Sequence, residues 1–120
     1  MDREQFIKRM TNGDRSESNS HSAYNAKMDC VARSATAKEN LNILQEECAE
    51  LIQVISKYNR GLDENGYGVL EELADVLVTT YVVELSGLFT DEQIDRACDI
   101  KLNRAYNRLP AELKMEEDQI

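Results

Sequence analysis

Four acids in this chain have the types and spacing to do chemistry. Glu47 and Glu50 lie in QEECAELIQV, and Glu72 and Asp75 lie in LEELADVLV. Each pair is an acid, two spacers and an acid, which on a helix places both carboxylates on one face. Their flanks are branched and apolar. Ile43 and Val54 bracket the first pair at helical steps, and Val69 and Val76 bracket the second. Carboxylates set among such residues repel one another and lose hydration, and this is costly unless something neutralises them. The available remedies are a proton, an Arg or Lys partner, or a metal. Four oxygen ligands on rigid helices suit a hard ion, Mg2+ or Mn2+. A single acid-x-x-acid pattern usually marks a solvated helix face. Two in-phase pairs with apolar flanks are much less common.

The elements that carry these pairs can be read from their boundaries. TAKE at 36–39 has the form of a capping box, Thr36 with Glu39. From there the chain runs to Asn59 with neither Gly nor Pro, which predicts a long helix. NRGLDENGYG at 59–68 breaks it with three glycines. A second long helix is expected from about Val69 to Leu85. TDEQ at 90–93 is another capping box and opens a third helix, which Pro110 stops. Before these, REQFIKRM reads as a short helix, and Ala23 to Arg33 as another capped by Ser20 or Ser22. Residues 11–22 between them, which include the single histidine, His21, read as a polar linker. The tail AELKMEEDQI reads as acidic and frayed. No alternating run suggests a sheet.

On the first long helix, Leu44, Cys48, Leu51, Ile55 and Tyr58 form an apolar stripe expected to be core. The acid row Ile43, Glu47, Glu50, Val54 lies beside it, and Glu46 points elsewhere. On the second, Val69, Glu72, Val76, Thr79 and Val83 form one row, and Leu70, Leu73, Leu77 and Tyr81 lie opposite. A helix apolar almost all round must be covered on several sides. The expectation is therefore an all-α antiparallel helical bundle completed by oligomerisation, as a homodimer or a dimer of dimers.

Composition narrows the functions. The 120 residues are 42% hydrophobic and 31% charged, with a net charge of −9. That is an ordinary globular composition. An acidic chain lacks the basic surface that nucleic acid and anionic membranes demand. The N-terminal MDREQFIKRM is not a secretory signal, and the chain has no apolar run that could span a bilayer. Cys30, Cys48 and Cys98 are odd in number and form no CxxC pair, which fits a reducing, cytoplasmic setting.

At these acids the chain resembles the MazG-like all-α nucleoside triphosphate pyrophosphohydrolases, whose signature is ExxE, a spacer, then ExxD. EECAE supplies Glu47 and Glu50, and EELAD supplies Glu72 and Asp75, with 21 residues between Glu50 and Glu72. SKYNRG resembles the family's helix end, and DIKLNRAYNRL its basic third helix. The resemblance covers about residues 36–109. It leaves 1–35 as an N-terminal extension and 110–120 as a tail.

The resemblance implies hydrolysis of an NTP or dNTP to the monophosphate and pyrophosphate with Mg2+. Glu47, Glu50, Glu72 and Asp75 would be the metal ligands and catalytic acids. It leaves the general base open between one of these acids and a water activated by the ion. A triphosphate and an acidic protein repel each other, and bound divalent cations would invert the local charge. Candidate phosphate-binding groups are Lys101 in the stripe Ile94, Cys98, Lys101, Ala105, with Arg104 and Arg108 beside it, together with Lys57 and Asn103. Each has a plainer reading: Lys101 can snorkel along a helix edge, and Lys57 suits a last helical turn. Tyr67, Tyr81 and Tyr106 could stack on a base, with a core role favoured for Tyr81. A di-iron carboxylate bundle needs ExxH pairs, and no histidine lies near these acids. A non-catalytic helical adaptor, or a family member that binds nucleotides without hydrolysis, remains as the alternative.

Overall fold

The computed structural model describes residues 1–15, 20–63 and 65–116. Among the described residues there are five α-helices and one short 3-10 helix, and no strand. The helices are α1 (Arg3–Asn12), α2 (His21–Arg33), α3 (Ala37–Asn59), α4 (Tyr67–Leu85) and α5 (Asp91–Asn107), followed by the 3-10 turn Ala111–Leu113. The all-α expectation holds in this sense.

Local chemistry sets most of the boundaries. Thr36 and Glu39 form the expected capping box at α3, as do Thr90 and Gln93 at α5. Ser20 caps α2 by accepting from the Ala23 amide. A third box, Asp2 with Gln5, starts α1 and makes Arg3 its first residue. The turn after α3 needs left-handed backbone at Gly61 (φ 76°) and Gly66 (φ 70°), which glycine adopts without a Cβ penalty. There, α4 begins two residues earlier than the pattern suggests. Asp63 accepts from the amides of Gly68 and Val69, both at 3.2 Å, and so caps the helix from outside it.

The linker reading of 11–22 needs correction at both ends, because Thr11 and Asn12 belong to α1 and His21 and Ser22 to α2; its centre, 16–19, lies outside the described residues. Part of the tail is also ordered. Lys114 donates to the Asn107 carbonyl and the Met115 amide donates to the Tyr106 hydroxyl, which closes the 3-10 turn against the end of α5.

The chain divides into two compact units, Met1–Leu88 and Phe89–Ile120. The helices α1 and α2 thus fall in the same unit as α3 and α4. In the first unit α4 is central and packs against α1, α2 and most extensively α3. The short connection 60–66 returns α4 antiparallel to α3. Met28 and Ala32 of α2 meet Val82 of α4 in a small core, with Tyr81 against it. Buried Asn40 donates to the Ala32 carbonyl at 3.0 Å and ties the start of α3 to the end of α2.

The expected core stripe of α3 is only partly covered. Ile55 and Tyr58 are exposed, while Val54 of the acid row is buried. On α4 the acid row again faces inward, with Glu72 buried, and Leu70, Leu73, Leu77 and Val78 are exposed. In the single chain, then, the two acid rows face each other and much of the apolar surface faces out.

Candidate metal centre

Glu47 and Glu50 sit midway along α3, and Glu72 and Asp75 near the start of α4. The antiparallel pairing brings the four together: one carboxylate oxygen from each lies within 4.8 Å of the others. Burial grades across the cluster. Glu72 is buried, Glu47 half-buried, and Glu50 and Asp75 exposed. The site is thus anchored in protein on one side and open to solvent on the other, a suitable form for taking up a ligand.

The electrostatics are unfavourable for four bare carboxylates. Burial pushes the Glu47 carboxyl up to about 7, and the charges of Asp75, Glu50 and Glu72 add to the rise. Glu72 is pushed up by burial first, then by Glu50 and Asp75, while Arg3 opposes the shift. One oxygen of each, Glu47 Oε2 and Glu72 Oε2, is buried without a hydrogen-bond partner. An orphaned buried carboxylate oxygen costs free energy, which a proton shared with Glu50 or a hard divalent cation would offset. The donor set, all oxygen and partly solvent-facing, fits Mg2+ or Mn2+.

Among the described residues one cation reaches the cluster, and it comes from the N-terminal helix. Arg3 Nε donates to Glu71 Oε1, and Arg3 Nη2 donates to Glu72 Oε1 at 3.0 Å. The pairs span 68 and 69 residues of sequence. No local pattern announces such a contact, and residue spacing does not single out Arg3. Its one local signal is the Asp2–Gln5 capping box, which places it at the helix start.

The cationic candidates sit differently. Lys57 is exposed in the last turn of α3, roughly 10 Å along the axis from Glu50 at 1.5 Å per residue. Lys101, Asn103 and Arg104 are exposed on α5, within the second unit. None of these four joins an ion pair among the described residues. Tyr106 has its hydroxyl engaged by the Met115 amide. The three cysteines are free, with Cys30 and Cys98 exposed and Cys48 half-buried. Among the described residues no helix is long and apolar enough to cross a membrane.

No family model, curated protein or solved structure matches this chain.

Proposed function

We propose that this chain is a metal-dependent nucleoside triphosphate pyrophosphohydrolase of the MazG-like kind, releasing a nucleoside monophosphate and pyrophosphate. The observation that carries the reading is the convergence of Glu47, Glu50, Glu72 and Asp75 within 4.8 Å. Two acid pairs from separate helices meet at one point, and two of their oxygens are buried and unpaired.

In this reading the four acids hold Mg2+, with Mn2+ as a substitute. A divalent ion there would polarise the α-phosphate and acidify a water for attack on phosphorus. Rigid helices present the carboxylates, so little ordering is required when the ion arrives. Glu47 holds a proton near neutrality in the metal-free chain and must release it on loading. Exposed Glu50 and Asp75 border the solvent side, where the triphosphate would approach. Lys57, on the same helix as Glu47 and Glu50, stands as a candidate for its phosphates. The exposed Leu70, Leu73, Leu77 and Val78 of α4 fit a homodimer or dimer of dimers, in which a second copy covers them. Such a chain, acidic and with three free cysteines, suits the cytoplasm.

The rival reading is a non-catalytic helical adaptor, and Arg3 is the observation in its favour, because it neutralises part of the acid cluster without a metal. A single guanidinium still leaves Glu47 Oε2 and Glu72 Oε2 unsatisfied. The test is a panel of nucleoside triphosphates with Mg2+, scored for monophosphate and pyrophosphate. Glu72→Gln should abolish turnover, and Glu46→Gln, one position outside the acid row, should leave most of it. Full metal-dependent activity in Glu72→Gln would refute the site assignment. Intact binding without turnover in the wild type would favour the adaptor.

A further inference from the structure

We infer that Arg3, on the N-terminal helix, is a positioning residue for the metal centre: it grips Glu72 by one carboxylate oxygen and leaves the other for the ion. The inference rests on the metal reading above, and it adds a residue that lies outside the four-acid pattern.

Three features of the structure build the arginine's seat. The first is the grip itself. Glu72 Oε1 accepts from Arg3 Nη2 at 3.0 Å, while Glu72 Oε2 is buried and unpaired. The two oxygens of one carboxylate are thereby distinguished, and its rotation is restrained. Second, Arg3 Nε is held by the neighbouring Glu71, which is not among the four converging acids. Glu71 anchors the guanidinium, so the planar fork bridges an anchor and a ligand, a geometry a point charge cannot reproduce. The third feature is the space. A Cβ on Gly68 would collide with Arg3 Nη1 and come within 2.9 Å of Asp63 Oδ2. Buried Gly68, one turn before Glu72, leaves the room the guanidinium occupies. The Asp2–Gln5 capping box fixes Arg3 as the first residue of α1, and α1 packs against α4.

A partner that orients a metal ligand strengthens metal binding, and removing it typically weakens affinity by about 10–100-fold. A cation that only competes with the metal has the opposite sign, since its removal tightens binding. The two roles therefore differ in the direction of the change.

The probe is Mn2+, titrated into the full chain near pH 8 and followed by calorimetry, with far-ultraviolet circular dichroism reporting helix content. Arg3→Ala should weaken Mn2+ binding on the order of tenfold. Arg3→Lys should recover only part of the loss. Gly68→Ala keeps every charge but crowds both the flexible end of Arg3 and the Asp63 carboxylate that caps α4, so its helix content and melting temperature are read alongside its affinity. It should weaken binding in the same direction. Arg9→Ala removes another α1 arginine, paired with Asp14 at 3.8 Å, and should bind as the wild type does. Unchanged or tighter binding in Arg3→Ala would overturn the inference, as would wild-type affinity in Gly68→Ala. If Arg3→Ala loses helix, Arg3→Lys decides together with Gly68→Ala, each read at wild-type helix content: wild-type affinity in both overturns the inference. A wild-type chain that binds no Mn2+ would instead remove the metal reading, and the inference with it.

Discussion

Raising the pH should destabilise the metal-free protein, against the trend for acids held in ion pairs. The cause is Glu47, whose carboxyl rises from 4.5 to about 7 in the folded chain. Between those values the folded state binds more protons than the unfolded chain. Stability is then fully present below about pH 4.5 and is lost as pH rises through about 7. Each tenfold gain in proton affinity corresponds to about 1.36 kcal/mol, so Glu47 alone contributes at most roughly 3 kcal/mol. Glu47 is only half-buried, and solvent screening reduces this to on the order of 2 kcal/mol. At about 4 °C per kcal/mol for a chain of this size, the melting temperature should fall by roughly 8 °C between pH 5 and pH 8. Glu72 shifts in the same direction. The net charge of −9 also produces repulsion that grows with pH, so a control is needed. Thermal melts in EDTA, at fixed salt, should be run on the wild type and on Glu47→Gln. The variant keeps the volume and loses the titration, so its melting temperature should depend less on pH and exceed the wild type's at pH 8. Parallel curves for the two proteins, or a wild type that gains stability from pH 5 to pH 8, would refute the reasoning.

Three further outcomes follow from the same geometry. Mg2+ or Mn2+ should raise the melting temperature at pH 8 by the mass-action term, about 2.7 kcal/mol at a hundredfold excess over Kd, and calorimetric scans with and without metal measure it; at pH 5 the rise should be smaller, because the ligands must be deprotonated. Thr36→Ala breaks the capping box in which Thr36 and Glu39 exchange bonds of 3.1 Å, and denaturant melts should record a loss of about 1 kcal/mol. Lys101→Ala should weaken substrate binding or turnover while leaving helix content intact if Lys101 meets the triphosphate, and unchanged kinetics would return it to the snorkelling reading.

What the sequence determined was local. Thr36 with Glu39, Thr90 with Gln93 and the glycines at 61 and 66 specify where helices start and stop, because caps and left-handed turns depend on neighbours a few residues away. Helical spacing likewise puts Glu47 with Glu50 and Glu72 with Asp75 on shared faces whatever the packing. What only the tertiary structure decided is how those faces combine. The acid rows turn toward each other while Leu70, Leu73 and Leu77 face out, since the register of α4 is set by the Asp63 cap and by Val82 on Met28 and Ala32. Arg3 meets Glu71 and Glu72 across nearly seventy residues of chain. Contacts at that separation leave no periodic trace in a single sequence, because they arise from helix packing and not from the backbone repeat. The counter-charge of the site is therefore a product of the packing of α1 on α4.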